Sequence, residues 1–390
     1  MPMNRHGVVI VVSLGVLMLL SLLGASFLFR GIHEGGISDH AQAWQSSFSL
    51  AEASMDVVID QLRTGAFGDV PPTSLSSGSY WAELADSTEN ASLQPLQYLI
   101  TGHGLQGAVQ RDLEALAALT PQSVFQFALF ADQQLVVEGT VSTDSFDSSV
   151  APYDPLNPGQ QGDIGTNMTA AGGIVVEGNI TVNGQMAVGA GVSDPTSVVV
   201  VNGGSYTVSA EPDVVAQSNN LQMPMVNPPP ELSCTIPLSL NGGPPLSLPS
   251  GGGTACSGNA CCFSIVSLGG SGTVTIDPGV DVTVYVTGPF SQTGNSTIGV
   301  VNDPTQLVMI LTSPQQATIE GGWTGTPVFS GGLYAPTGSI DIGGNAQIFG
   351  SVISQNVEVS GNAEIHYDEA LSSSGPTGSY QVQVLEWRDL

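Results

Sequence analysis

The side chains that could carry chemistry are few in this chain of 390 residues, and they lie far apart. Its five histidines are scattered, so their spacing indicates neither a nucleophile–base pair nor a metal triad. The sequence contains no glycine-rich phosphate loop and no GxSxG motif. We therefore expect a protein that is not an enzyme and that binds no cofactor.

Acidic residues dominate the charge of the chain. Asp and Glu number 33, against five basic residues that are all arginine, for a formal net charge of −28. Nucleic-acid binding depends on cations that neutralise phosphates, and an enzyme that acts on acidic polysaccharides needs cations to hold its substrate. Only Arg111 and Arg388 follow residue 63. The composition excludes nucleic acid as a partner and argues against such an enzyme.

Four carboxylates in one part of the chain could hold calcium. They are Asp144, Asp147, Asp154 and Asp163. Oxygen-rich loops suit Ca²⁺, but acidic loops on so acidic a protein are more often simply solvated. Calcium is thus an alternative to the expectation of no metal.

All four cysteines lie in residues 208–262, a stretch rich in proline and glycine: Cys234, Cys256, Cys261 and Cys262. In an extracytoplasmic segment with little apolar content, disulfides are expected. Adjacent cysteines rarely pair with each other, which leaves Cys234 and Cys256 as the partners of Cys261 and Cys262, in an order that the sequence does not determine. Zinc is the alternative, although this stretch has no histidine and no second CxxC.

One apolar run near the start of the chain predicts a helix. Val8–Phe29 carries no charge and lies between Arg5 and Arg30. About 20 apolar residues cross a bilayer as a helix, so the run predicts a transmembrane helix. A secretory signal peptide is the alternative, but its apolar core is shorter, at ~7–15 residues, and ends at a small-residue cleavage site.

A heptad stripe extends this helix beyond the apolar run. Its apolar members are spaced alternately four and three residues apart: Ile37, Ala41, Trp44, Phe48, Ala51, Met55, Val58 and Leu62. We therefore expect one helix over residues 8–63, with a transmembrane part followed by a stalk.

The start of the chain resembles a known family. Arg5-His6-Gly7-Val8-Val9, a basic leader with a glycine directly before the apolar run, is similar to the prepilin-peptidase site of type IV pilins and pseudopilins. With Leu50-Ala51-Glu52-Ala53, it resembles the PilX-type minor pilins more closely. The resemblance implies that residues 1–7 are a leader, that a prepilin peptidase cleaves between Gly7 and Val8, and that other pilin-like subunits are partners.

One position departs from the pattern of that family. Major pilins carry a glutamate at the fifth position after the cleavage site, where this chain has Val12. In the family, that glutamate pairs with the N-terminal amine of a neighbouring subunit inside the membrane, where an unpaired charge is costly. Its absence implies a minor or tip subunit.

The rest of the chain repeats one short phrase, in which an apolar-x-apolar-x stretch is followed by Gly and then Asn or Thr. Its copies are Leu135–Val141, Ile174–Ile180, Ile340–Ala346 and Val357–Ala363. Alternation points one side chain of each apolar pair inward, and Gly-Asn permits a sharp corner. Stacked turns of this kind predict a right-handed parallel β-helix, and a β-sandwich of short strands is the alternative. In the β-helix, the repeated apolar pairs should point into one continuous core and occupy equivalent places in successive turns.

The predicted fold class is mainly β, with the long N-terminal helix followed by the β-helix. The predicted segments are a leader (1–7), the transmembrane and stalk helix (8–63), a connecting or cap region (64–123), the β-helix (124–371) with a Cys-containing insertion (208–262), and a C-terminal segment (372–390). Within the cap, Leu105–Leu119 predicts a short helix. Phrases such as Gly361–Asp368 also resemble the C-terminal domain that accompanies PilX-type N-termini.

These features predict a minor subunit, at or near the tip of a type IV pilus or a related machine, that presents an extracellular β-helix for assembly initiation or adhesion. Its expected partners are the membrane, other pilin-like subunits, the pilus assembly machinery with its prepilin peptidase, and a surface or glycan ligand. Its expected location is the cell surface, membrane-anchored and pilus-associated. The alternatives are a stand-alone membrane-anchored structural or adhesive protein and, third, a β-helix enzyme acting on carbohydrate.

Overall fold

The computed structural model describes residues 5–322 and 325–390, which fold as two compact units. The first unit runs to Thr120 and also includes Tyr380–Leu390, and the second unit is Pro121–Ser379. The chain therefore leaves the first unit, builds the whole of the second, and returns to the first with its last residues.

The described residues form one α-helix, α1 (Arg5–Arg63), and 28 strands. The first fourteen strands are β1 (Val70–Leu75), β2 (Gly78–Ala85), β3 (Gln97–Gln106), β4 (Val109–Ser123), β5 (Leu129–Val137), β6 (Thr140–Phe146), β7 (Ile164–Thr166), β8 (Ile174–Val176), β9 (Asn179–Val182), β10 (Met186–Val188), β11 (Val199–Val201), β12 (Ser205–Val208), β13 (Val214–Ala216) and β14 (Pro237–Asn241). The others are β15 (Leu246–Leu248), β16 (Cys256–Ser257), β17 (Ala260–Phe263), β18 (Ile265–Gly269), β19 (Thr273–Ile276), β20 (Val282–Val286), β21 (Phe290–Thr293), β22 (Thr297–Ile298), β23 (Leu307–Leu311), β24 (Ala317–Glu320), β25 (Val328–Gly343), β26 (Gln347–Val359), β27 (Glu364–Asp368) and β28 (Thr377–Asp389). Short 3₁₀ turns occupy Pro195–Val198, Ser250–Ala255, Pro304–Gln306 and Glu369–Ser373.

Helix α1 does not match the predicted transmembrane segment. Across the described ranges, no helix is both long enough and apolar enough to cross a membrane, which contradicts that part of the predicted fold class. In α1, the apolar run leads directly into a charged part, where Arg30 Nε donates to Glu34 at 3.0 Å. The helix then continues into residues that pack on protein.

The first unit contains a five-stranded sheet in the order β1-β2-β3-β4-β28. The pairs β1–β2, β2–β3 and β3–β4 are antiparallel. The predicted helix at Leu105–Leu119 is therefore wrong. In β4, every second side chain from Leu113 to Leu119 is buried, so a period of two that matches the sheet overrides the helix propensity of Ala and Leu.

The second unit contains a 23-stranded sheet, β5–β27. Its lateral pairs are parallel, apart from the antiparallel β16–β17 hairpin. The predicted equivalence of the repeated apolar pairs is confirmed, because Leu135 lies opposite both Ile174 and Val357, and Val357 lies opposite Ile340. All four side chains lie in one core and are at most 1% exposed.

The order of the strands contradicts the predicted right-handed parallel β-helix, in which successive turns would stack in sequence order. Strand β5, the first of the unit, has β8 on one side and β26 on the other. The early strands therefore extend from β5 in one direction and the late strands in the other. The predicted insertion at 208–262 is also wrong, because β14–β17 belong to the sheet. The repeated phrase defines which side chains face inward, but it does not define which strands become neighbours.

Residues 217–236, which we call the strap, connect β13 to β14. Strand β13 pairs with β10 among the early strands, and β14 pairs with β18 among the late ones. The strap packs on a column of side chains, one from each of six neighbouring strands: Phe130, Ile353, Tyr334, Ile310, Tyr285 and Cys262. Leu221 of the strap is buried against this column. Further along the strap, the backbone carbonyl of Pro224 accepts a hydrogen bond of 2.7 Å from the Tyr334 hydroxyl.

Candidate functional site

The second half of α1 packs on β3, where two glycines admit the helix. A Cβ on Gly104 would overlap the carbonyl oxygen of Ser47, and one on Gly102 would overlap the Met55 side chain. The fully buried members of the heptad stripe lie in this core: Ala51, Met55, Val58 and Leu62. The two glycines therefore set the distance between helix and sheet.

His103, between these glycines, is the best candidate for a catalytic group in the first unit. Its Nδ1 lies 2.6 Å from Asp112 Oδ1, and its ring stacks on Trp81 at 4.9 Å. An Asp-oriented histidine is part of a nucleophile-activating arrangement. Its Nε2, however, is buried and has no partner among the described residues. The pair therefore orients the ring on the sheet and activates no described nucleophile.

The part of α1 from Leu14 to Phe29 is mostly apolar, and its described side chains are uncovered. Its large apolar side chains from Leu14 to Phe29 are 50–76% exposed: Leu14, Val16, Leu17, Met18, Leu19, Leu20, Leu22, Leu23, Phe27, Leu28 and Phe29. They follow one another closely, so they point to every side of the helix. A helix that is apolar all round is normally a buried one. This segment, residues 14–29, therefore needs partners on all sides.

The predicted processing residues, Gly7 and Val8, lie in α1. Residues 1–4 of the predicted leader are outside the described residues. Cleavage between Gly7 and Val8 stays a prediction.

The four cysteines form two disulfides, Cys234–Cys262 and Cys256–Cys261, with no free thiol among them. This is one of the two pairings that the sequence leaves open. The zinc alternative is contradicted, because no cysteine remains to bind metal as a thiolate. Cys261 faces the inner core of the sheet and Cys262 the column under the strap.

The four aspartates considered for calcium already accept hydrogen bonds from the protein. Asp144 accepts from Tyr153, Asp147 from Ser149, Asp154 from Asn157, and Asp163 from the backbone N–H of Gln185. In the described ranges, no three His, Cys, Asp or Glu side chains gather as a metal-binding group.

A group around Asp144 in the second unit escapes sequence analysis because its members are distant in sequence. Asp144 lies 2.8 Å from His366 Nδ1 and accepts from the Tyr153 hydroxyl at 2.7 Å. Burial, and then the hydrogen bond to Asp144, raises the pKa of Tyr153 well above its usual range, so the phenol keeps the proton that it donates. The Tyr153 ring lies 4.2 Å from that of His366. This group ties the loop of residues 147–161 to β6 and β27.

A row of carboxylates crosses the neighbouring strands β25 and β26. Asp341 lies directly opposite Glu358 in the parallel pair. Burial, followed by the charges of Glu320 and Glu138, raises the pKa of Asp341. Burial, followed by the charges of Asp341 and Glu138, raises the pKa of Glu358. The row therefore offers acceptors and repels anions.

The two arginines outside α1 are both paired with acids. Arg111 contacts Asp389, and its guanidinium carbon lies 4.8 Å from the centre of the Trp44 ring. Arg388 contacts Glu114. Neither presents an unpaired cation to an anionic ligand.

Comparisons with known proteins match part of this chain to a family model. A family model described as "Domain of unknown function (DUF7305)" matches residues 265–374, which is less than half of the chain. No curated protein matches. Among solved structures, the competence-associated pilin ComZ from Thermus thermophilus aligns over 89% of this chain and 97% of its own, with 12% identity and a TM-score of 0.27. So low a TM-score establishes no shared fold, and the architecture above stands on the chain's own geometry.

Proposed function

We propose that this chain is a minor subunit of a type IV pilin-like filament, located at the cell surface. The observation that carries this proposal is the division of α1 into two parts. Residues 47–62 are held by the sheet of the first unit, whereas residues 14–29 expose apolar side chains in all directions. Monomeric soluble proteins rarely expose so large an apolar surface.

The partners that fit this surface are the equivalent apolar helices of other pilin-like subunits. A bundle of such helices buries every side of each member, as a helix that is apolar all round requires. The resemblance of the Gly7–Val8 junction to a prepilin-peptidase site adds the step that would release α1 for assembly. In this proposal, prepilin peptidase and the assembly machinery are partners too.

The second unit would be the part that the filament presents, for assembly initiation or adhesion. We propose no catalytic role for it. The carboxylates singled out as ligands are engaged by protein donors, and the two arginines outside α1 are paired.

A low copy number at or near the tip follows from Val12. In the family, a glutamate at that position meets the amine of a neighbouring subunit, and Val12 offers no charge. An amine buried without a partner among apolar helices is costly, and a homopolymer would repeat that cost at every step. A tip subunit needs no such pairing with a subunit above it.

Processing provides the first test. We would measure the N-terminus of the mature protein by mass spectrometry, with and without a co-produced prepilin peptidase. The expected result is a chain that begins at Val8 only when the peptidase is present. A mature chain that begins at Met1 or after Ala25 would contradict the pilin assignment.

Incorporation into filaments provides the second test. Leu20→Arg places a charge in the exposed apolar segment, and Val201→Arg makes the same change at a similarly exposed apolar position of the second unit. Leu20→Arg should remove the protein from purified filaments, and Val201→Arg should not. When this subunit is labelled and purified filaments are imaged, the label should be sparse and located at filament ends. A continuous fibre that contains this chain alone would refute the tip assignment.

A further inference from the structure

The two edges of the five-stranded sheet differ in their ability to accept another strand. One edge is β1, which carries Pro71 and Pro72. Proline has no N–H to donate, and proteins use it to block edge-to-edge pairing. The other edge is β28, which has 13 residues and no proline. One edge is thus protected and the other is open.

The open edge also exposes large apolar side chains. Val384, Leu385 and Trp387 of β28 are 41%, 46% and 44% exposed, and every residue from Gln383 to Asp389 is exposed. A long edge strand with exposed apolar side chains is a template for pairing with a further strand. Neither charge nor proline interrupts it before Glu386.

The charges of β28 are self-complementary about Trp387. Glu386 precedes Trp387, and Arg388 follows it. If two β28 strands pair antiparallel with their Trp387 residues opposite each other, Glu386 of each copy faces Arg388 of the other. In a parallel pair of the same register, like charges would face each other, which is destabilising. The antiparallel pair also has the two-fold symmetry that most dimers have.

We propose that two copies of this chain associate through their β28 strands, antiparallel and centred on Trp387. The overlap covers Leu385–Asp389 and joins the two five-stranded sheets into one continuous sheet. Arg388, which contacts Glu114 of its own chain, is then placed between two carboxylates. This pairing does not depend on the exposed segment of α1, so it goes beyond the filament role proposed above.

A charge-exchange experiment tests the pairing. The full chain is kept in a mild detergent that covers residues 14–29, and its mass is measured by analytical ultracentrifugation. Glu386→Arg and Arg388→Glu should each weaken self-association at least tenfold, because each sets like charges opposite each other. An equimolar mixture of the two should restore a mixed dimer. Glu231→Arg, the same change at an exposed position outside β28, should have no effect. A monomeric wild type, or a mixture that stays monomeric, overturns the proposal.

A cross-link tests the register even if Arg388→Glu perturbs folding. All four native cysteines are in disulfides, so Trp387→Cys adds the only thiol. Directly opposed residues of antiparallel strands have Cα atoms about 4.5–5.5 Å apart, which is within reach of a disulfide. Trp387→Cys should give a covalent dimer under mild oxidation, and Gln381→Cys, outside the overlap, should not. A dimer that Trp387→Cys does not cross-link overturns the β28 pairing. Persistence of the dimer in Leu20→Arg would separate it from filament assembly.

Discussion

Cys234, near the end of the strap, is bonded to Cys262, the last side chain of the column on which the strap packs. At the other end of the strap, the backbone of Leu221 exchanges two hydrogen bonds with the side chain of Asn167, at 2.8 and 2.9 Å. The strap is therefore fastened at both ends and by Tyr334 between them. It joins the early and late strands of a sheet that is not stacked in sequence order.

Removal of the strap disulfide should release the strap. The double variant Cys234→Ser/Cys262→Ser opens a loop of 28 residues. In the loop-entropy model, loss of this cross-link lowers the free energy of unfolding by about 3–4 kcal/mol. Hydrogen exchange followed by mass spectrometry should show faster exchange in residues 217–236.

The second disulfide provides the matched control. Cys256→Ser/Cys261→Ser opens a loop with a separation of only five residues, for which the same model gives about 2 kcal/mol. Exchange in residues 217–236 should change little in this variant. An equal effect of the two variants on the strap would show that Cys234–Cys262 does not fasten it.

The glycine pair on β3 should be intolerant of any side chain. Gly104→Ala puts a methyl group into the Ser47 backbone of α1, and the helix must move away from the sheet. Overpacking of this kind costs about 1–3 kcal/mol. The thermal midpoint of the first unit should fall, which differential scanning calorimetry can measure.

Gly68 is the control for this change, because an added Cβ there would meet nothing within 4 Å. Gly68→Ala should leave the midpoint of the first unit unchanged or slightly raised. If Gly104→Ala were as stable as Gly68→Ala, the close approach of helix and sheet would not require glycine.

Local alternation made part of this fold predictable from the sequence. The apolar pairs at Ile340 and Val357 were correctly expected to occupy equivalent places, because the period of two determines which side chains face inward. The same period separates Cys261 from Cys262 on opposite faces of β17, which explains why these neighbours bond to different partners.

Other features could not be predicted, because nothing local determines them. Val357 lies opposite Leu135, although the two are far apart in sequence. Every strand with the repeated phrase presents a similar edge, and closing a longer loop costs only slightly more entropy, so the sequence does not determine which strands pair. In β4, the Leu and Ala residues favour a helix in isolation. They form a strand because every second one is buried in the core that the sheet shares with α1. The group of Asp144, Tyr153 and His366 requires contacts between distant residues.

Tyr153→Phe should loosen the loop of residues 147–161. The change removes the hydroxyl that donates to Asp144 and keeps the ring against His366. A hydrogen bond to a charged acceptor contributes roughly 1.5–3 kcal/mol. Exchange of residues 147–161 should therefore be faster, with little change in β26. Tyr206→Phe, in β12, removes a hydroxyl that makes no hydrogen bond within the described residues and should leave this loop unchanged. Unaltered exchange in Tyr153→Phe would show that Asp144 does not hold the loop.

The carboxylate row predicts how the stability of the second unit depends on pH. Burial and neighbouring charges raise the pKa of Asp341 in the folded protein, so the folded state binds this proton more tightly than the unfolded state. The stabilisation that results is fully present at a pH below 3.8, the pKa of this carboxyl in the unfolded chain, and is lost as the pH rises through its pKa in the folded protein. At neutral pH, the charged carboxylate therefore destabilises the fold. Asp341→Asn removes the charge with little change in shape and should raise the thermal midpoint at pH 7, whereas near pH 3 the gain should vanish.

Glu358→Gln should also raise the midpoint at pH 7, because the pKa of Glu358 is raised too. The gain should be smaller, since the side chain of Glu358 is more exposed than that of Asp341. Glu231→Gln, at an exposed position outside the row, is the matched control and should change neither midpoint. The double variant Asp341→Asn/Glu358→Gln should gain less than the sum of the two single variants, because each removes the same repulsion between opposed residues. Midpoints measured by calorimetry at both pH values decide the matter: a gain of equal size at pH 3 and pH 7 would trace the effect to packing, and a loss at pH 7 would mean that the carboxylates support this face of the sheet.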